Sequence, residues 1–317
     1  MNLYTKIDLP VVENHISYSS NLFFLGSCFA ENIGNKFTDV HFSTLQNPFG
    51  ILFHPFGIEQ FLSLVSGETS VDEKALLLHE ETWKSYQAHS KLKATTKEEL
   101  LELMKLQLQK SKDFLASTSH VFISLGTSWG YYKKETPIDQ FVVNCHKQPN
   151  YLFDKKIASV GDLEHSIQKI IHLISSVSKA EIWFTISPVR HQKDGWTQNT
   201  RSKSNLISAL HNTLDSHPEV GYFPAYEVMM DELRDYRFYA RDLLHPNELA
   251  IDYMWKHIET CYFSEATKTA IKKVSAYQKL KNHRSLSQHQ DELRNSKLAQ
   301  LESELKALGI SSKPCNE

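Results

Sequence analysis

The 317-residue chain is 41% hydrophobic and 23% charged, with a formal net charge of -2, the balance of a globular protein long enough to bury a substantial core. Near-neutrality gives no electrostatic reason to expect nucleic acid or an anionic membrane as partner, and no run of about eighteen apolar residues is present to span a bilayer. The start, Met1 to Lys6, shows no apolar run with a cleavage site, and the four cysteines (Cys28, Cys145, Cys261, Cys315) are scattered; no signal peptide and a reducing cytoplasm are expected.

In chain order, residues 22–25 form the first short apolar run, of strand length, and 29–37 can follow it as a helix. Residues 76–94, with Thr82-Trp83-Lys84-Ser85-Tyr86, read as an inserted β-hairpin. Thr96-Lys97-Glu98-Glu99 is a capping box that opens a helix carrying Leu100, Leu101, Met104, Leu108 and Leu115. Residues 120–125 predict a second strand, 162–177 a helix with Leu163, Ile167, Ile170 and Ile171 inward, 181–186 a third strand and 220–226 a fourth. Pro246 suits the first turn of a helix through Ala250, Tyr253, Met254 and Trp255. Strands alternating with helices predict an α/β fold, a mostly parallel sheet covered on both faces. The division expected is a domain over 1–262 and a helical extension over 263–317. In that extension Leu298, Leu301, Leu305 and Leu308 share a helix face that either packs back on the domain or makes a homo-oligomer.

Chemistry belongs where the strands end, since open α/β sheets bind ligands beyond their carboxyl edges. Gly26-Ser27-Cys28, Gly126-Thr127-Ser128-Trp129 and Ser187-Pro188-Val189-Arg190-His191 follow three of the predicted strands. Cys28 would stand at a helix start, beside unpaired N–H groups that favour a thiolate and can hold an oxyanion. The plainer alternative makes Ser27 a helix cap and Cys28 a small buried filler. Near the other end, Asp242 lies three residues before His245, a spacing that lets a carboxylate fix an imidazole tautomer and stabilise its cation. Cys28, Cys145, His146, His191 and His245 lack the paired spacing of a zinc site, so no metal and no cofactor are expected. Arg190 and His191, followed by Lys193 and Lys203, either bind an anionic substrate group or form a solvated loop. The hairpin bearing Trp83, Tyr86 and His89 is either packed or a lid. The charged, tyrosine-rich run 231–241 reads as a structural network.

The stretch Phe24-Leu25-Gly26-Ser27-Cys28-Phe29-Ala30 resembles the signature of the GSCFA family. So do Asn47-Pro48-Phe49-Gly50, Gly126-Thr127-Ser128-Trp129, Asn144-Cys145-His146-Lys147, Ser187-Pro188-Val189-Arg190-His191, Tyr222-Phe223-Pro224-Ala225-Tyr226-Glu227 and the run from Asp231 to Tyr239. The resemblance covers roughly residues 20 to 257. It implies membership of the SGNH, or GDSL-like, hydrolases, a three-layer, flavodoxin-like α/β/α fold of esterases, lipases and carbohydrate deacetylases. Alignment on the glycine of their Gly-Asp-Ser block puts Cys28 at the nucleophile position and leaves Ser27 as the alternative. The same pattern implies Gly50 and the Cys28 N–H as oxyanion donors, with Thr127 or Ser128 where the superfamily has Asn, and Asp242 and His245 as its Asp-x-x-His. Asn47, Trp129, Arg190 and His191 are the substrate-binding candidates. The activity so implied is hydrolysis of an ester, including removal of an acetyl group from a carbohydrate. Acyl transfer to a sugar hydroxyl and a non-catalytic glycan- or acyl-binding domain are the alternatives.

Overall fold

The computed structural model describes residues 5–134, 139–282 and 288–311, the last stretch without the side chains of 288–292; Met1 to Tyr4 and Cys315, which entered the expectations above, lie outside them. The elements run β1 (Asn21–Gly26), α1 (Cys28–Asp39), β2 (Ser43–Gln46), α2 (Pro55–Ser66), β3 (Leu76–His79), β4 (Thr82–Ser85), α3 (Lys97–Ala116), β5 (His120–Leu125), β6 (Trp129–Lys133), β7 (Gln140–Val142), β8 (Phe153–Ile157), α4 (Val160–Val177), β9 (Glu181–Ile186), α5 (Trp196–Ser216), β10 (Gly221–Tyr222), a short α6 (Ala225–Glu227), α7 (Glu248–Tyr262), α8 (Glu265–Asn282) and α9 (Gln288–Ala307).

The central sheet has five strands in the order β10-β9-β5-β1-β2, all parallel. Strand alternation sends Leu22 and Phe24 to one face and Phe23 and Leu25 to the other. On the first face they meet Phe29, Ile33 and Phe37 of α1 and Ile251, Met254 and Ile258 of α7. On the second they join Ile58 and Phe61 of α2, Leu100 and Met104 of α3, Ile167 and Ile170 of α4, and Leu206 and Leu210 of α5. Those are the three layers that the alternating pattern predicts. Counting only the parallel strands in sequence order, the sheet reads 2-1-3-4-5. That order has its switch point between the first and third strands, here β1 and β5.

Local chemistry explains most boundaries. Thr96 and Glu99 make the reciprocal capping box of α3, and Ser159 with Asp162 makes a second one for α4. Two expectations shift. The fourth strand shrinks to Gly221–Tyr222, because Pro224 follows and 225–232 turn helical. Helix α7 begins at Glu248, capped by Asn247, so Pro246 precedes its first turn and instead bridges Tyr239.

Residues 76–85 form an antiparallel hairpin, β3–β4, and β7-β6-β8 make a small antiparallel sheet beside the main one. At the far end α9 packs on α8, with Leu305 and Ile310 buried against Ala270, Val274 and Tyr277, so the leucine stripe is mostly covered within the chain; Leu308 stays exposed. Among the described residues no helix is long and apolar enough to cross a membrane.

Candidate functional site

At the switch point β1 turns sharply into α1. Gly26 has φ +117°, and a Cβ there would lie 2.1 Å from the Ser124 carbonyl oxygen of β5, so only glycine fits. The Gly26 N–H donates to Asn47 Oδ1 at 2.8 Å, and the Ser27 N–H donates to the Ser124 carbonyl at 3.0 Å. Ser27 is buried and caps the helix: its Oγ accepts from the Phe29 N–H at 3.2 Å and lies 2.8 Å from Ser124 Oγ. A hydroxyl so engaged is a structural group. Cys28, the first residue of α1, is half-buried with a free thiol. Burial pushes that thiol's pKa up, as does Glu31 one turn along; the Cys28 and Phe29 N–H groups and the Lys203 charge pull it back down.

Asp242 and His245 lie on a loop fastened to the end of β9. The Arg190 N–H donates to the Leu244 carbonyl at 3.1 Å, and Arg190 Nη1 to the Leu243 carbonyl at 3.3 Å. The Arg190 guanidinium stacks over Trp196 at 4.0 Å and faces Tyr239 at 5.3 Å. Within the loop, Asp242 Oδ1 accepts from the N–H groups of Leu244 and His245, and Asp242 Oδ2 pairs with His245 Nδ1 at 2.7 Å. Hydrogen bonds from the Leu244 backbone, then from His245, hold the Asp242 carboxyl at about 2. Both side chains are 45% exposed. Among the described residues no hydrogen bond joins Cys28 to His245.

His245 borders an open cleft of about 590 Å³ that Phe53, Thr127, Trp129, Tyr131, Lys155 and His191 also line. Lys155 stands over the Trp129 and Tyr131 rings and pairs with Asp194. The His191 N–H donates to Asn199 Oδ1 at 2.8 Å. Burial first, then the Lys203 charge, pushes the His191 imidazole down to about 4, so it faces the cleft neutral. Helices α1 and α7 lie alongside, joined by the Lys36–Asp252 ion pair at 2.5 Å, and Asn32, one turn past Cys28, shares a second open pocket with Pro246.

Several expected residues are occupied elsewhere. The Gly50 N–H donates to the Asn47 carbonyl at 2.7 Å, closing a turn, so it is not held for an oxyanion. Ser128 is fully buried; its N–H donates to Ser202 Oγ and its hydroxyl to Ser202. Thr127 lines the cleft, but its Oγ1 accepts from the Trp129 N–H and pairs with Ser202 Oγ. Asn47 is brought to the turn rather than to the cleft, and its Nδ2 is buried with no acceptor among the described residues. The hairpin is packed: Tyr86 is buried against Phe153 and His146, and Lys91 beyond it pairs with Glu31 at 3.1 Å. Burial pushes the Cys145 thiol up to about 11, which leaves it unreactive. In the charged run, Glu232 accepts from Tyr253 Oη at 2.7 Å and meets His257 Nε2 at the same distance, so it does build a network under the last loop. Among the described residues no group of three His, Cys, Asp or Glu could hold a metal ion.

Lys203, expected either to bind an anionic substrate group or to lie on a solvated loop, sits on no loop. It sits on α5, 2% exposed, and its Nζ donates at 2.6 Å to both the Gly126 and Ser187 carbonyls, just past the ends of β5 and β9. The signal was present: Asn199, Ser202, Leu206, Ala209, Leu210 and Thr213 form the buried stripe of α5, and position 203 falls on it at helical spacing.

The model of the GSCFA family matches residues 21–258, most of the chain. No curated protein matches it.

Proposed function

The chain belongs to the GSCFA family, and from that premise we propose that it is an ester hydrolase of the SGNH type in which Cys28 is the nucleophile. The observation that carries this reading is the Asp242–His245 pair at 2.7 Å, held on a loop fastened to β9 at the edge where Cys28 opens α1. Cys28 Sγ attacks the ester carbonyl carbon while its proton passes to His245 Nε2, and Asp242 steadies the imidazolium through Nδ1. The oxyanion accepts from the Cys28 N–H and Asn47 Nδ2. A buried donor without an acceptor costs about 1–3 kcal/mol, and a transition-state oxygen offsets that cost. Collapse breaks the ester C–O bond, the leaving alkoxide takes the proton from His245, and a thioester remains on Cys28. Water then gives a proton to His245 and attacks the thioester; the thiolate leaves and is reprotonated.

Trp129, Tyr131 and Lys155 line the cleft together, an aromatic and polar lining that suits a sugar, so a carbohydrate O-acetyl ester is the proposed substrate, with a sugar hydroxyl replacing water in the acyltransferase variant. The free thiols of Cys28, Cys145 and Cys261 suit a cytoplasmic location, which belongs to the same proposal. A non-catalytic binding domain is the second reading, favoured by the open His245 that makes no hydrogen bond to Cys28.

The test is incubation with p-nitrophenyl acetate, following nitrophenolate release and mapping the acyl adduct by mass spectrometry. Acylation at Cys28 that falls at least about 10³-fold in His245→Ala is the expected result. No release and no adduct, with the fold intact, would favour the binding domain.

A further inference from the structure

The cleft beside His245 adjoins another open pocket, of about 440 Å³, lined by the charged run, and Arg190 is the residue that lines both. Its side chain is half-buried and held in place. Nη1 donates to the Leu243 carbonyl at 3.3 Å, and the guanidinium lies 4.0 Å from the centre of the Trp196 ring. An arginine stacked on an aromatic ring keeps N–H donors for other partners. Among the described residues the bond to Leu243 is the guanidinium's only hydrogen bond, and no carboxylate forms an ion pair with it. The carboxylates along the two pockets face other cations: Asp194 pairs with Lys155, Asp231 meets Arg234 at 3.8 Å and Asp235 meets Arg237 at 3.9 Å. Lys193, exposed at the rim of the cleft, also has no ion pair among the described residues. A fixed cation with free donors in a cleft wall is an arrangement that binds oxyanions.

We infer that Arg190 is an anion subsite of the cleft, taking the carboxylate of an acidic sugar or the phosphate of a sugar phosphate, with Lys193 adding charge at the rim. This rests on the reading of the cleft as the place where an ester-bearing carbohydrate binds. Arg190 holds the carbonyls of Leu243 and Leu244, the two residues before His245. An anionic group on its guanidinium therefore sets the rest of the substrate against His245 in the same cleft. The planar fork suits this double duty, since one N–H keeps the loop fastened while others grip the oxygens of a carboxylate or phosphate. The second pocket leaves room for the carbohydrate to continue past the guanidinium. The substrate class is then an acidic rather than a neutral carbohydrate.

The experiment reads binding directly, without an ester. Glucuronate, glucose 6-phosphate and glucose are titrated into the ¹⁵N-labelled full chain, and dissociation constants are taken from the amide shifts. At least one of the two acidic sugars should bind about tenfold more tightly than glucose or better, and the tighter of them tells whether carboxylate or phosphate is recognised. Rising salt should weaken that preference. Arg190→Gln should erase it, a loss of about tenfold to a hundredfold for the acidic sugar, whereas a purely structural role for Arg190 would weaken glucose and the acidic sugars alike. Equal affinity for all three sugars, no binding of any, or an undiminished preference in folded Arg190→Gln overturns the subsite. Should Arg190→Gln not fold, Trp196→Leu decides. Trp196 is exposed at the start of α5, and losing its ring should cut the preference by about threefold; an unchanged preference overturns the inference. Ester inertness with an Arg190-dependent preference would remove the hydrolase reading and leave the subsite standing, and ester turnover with no preference would remove the subsite alone.

Discussion

The two halves of the site are built on different physics. The inner half, Cys28 and Lys203, is set by burial: desolvation moves both groups toward their neutral forms, and the largest counterweight at Cys28 is its own backbone N–H, ahead of the Lys203 charge. The outer half, Asp242 and His245, is 45% exposed and is set by hydrogen bonds within one tight loop. Charges in the inner half interact through poorly screened surroundings, whereas water and salt weaken those in the outer half. Nucleophile reactivity should therefore respond to buried neighbours, and proton transfer to the geometry of the loop.

The sharpest way to break that contrast is Asp242→Asn. Losing the group that selects the tautomer should lower ester turnover by about 10³–10⁴-fold with little change in Cys28 alkylation. Its effect on stability has a definite pH sign. The carboxyl sits at about 2 when folded against 3.8 ordinarily. Its contribution is thus present above pH 3.8 and is lost as pH falls toward 2; denaturant titrations should show Asp242→Asn with a flatter profile across that window.

A smaller effect probes the inner half. Asn47→Asp keeps the acceptor for the Gly26 N–H but removes the orphan donor, so kcat should drop by about 10²-fold with KM little changed. An unchanged kcat would take Asn47 out of the oxyanion site. The smallest effect separates the adjacent residues of the turn. Ser27→Ala removes a helix cap and should cost about 1 kcal/mol in chemical denaturation while leaving acylation at Cys28 in place. Loss of acylation without loss of stability would return the nucleophile to Ser27.

The layers of the fold were legible in the sequence because strands β1, β5 and β9 are apolar on both faces, as buried parallel strands must be. Strand β2 was not, since Ser43-Thr44-Leu45-Gln46 alternates too weakly to stand out, and α5 was hidden by its polar first half, where even the buried positions Asn199, Ser202 and Lys203 are polar. In the site, Asp242 and His245 were legible from their spacing taken together with the Gly26-Ser27-Cys28 turn, because their own interaction is local. The oxyanion donors were not legible: whether the N–H of Gly50 or the hydroxyl of Ser128 is free depends on a turn to Asn47 and on Ser202, contacts that no motif encodes. Lys203 was missed for the opposite reason: both readings, anion binder or solvated cation, put it on a loop, when its helical position placed it inside.

The N-terminal segment is clipped to residues from the distant end of the chain. The Ile16 N–H donates to the Tyr262 carbonyl at 2.8 Å, and the Ile16 carbonyl accepts from Thr267 Oγ1 at 3.0 Å, 251 residues away. During synthesis this closure waits until α7 and the start of α8 have left the ribosome. Until then the α1 face of the sheet, with Phe24, Phe37 and Phe42, lacks its cover. Helix α7 and the start of α8 thus seal a strand made long before them, and the nascent chain carries an exposed aromatic surface until they emerge.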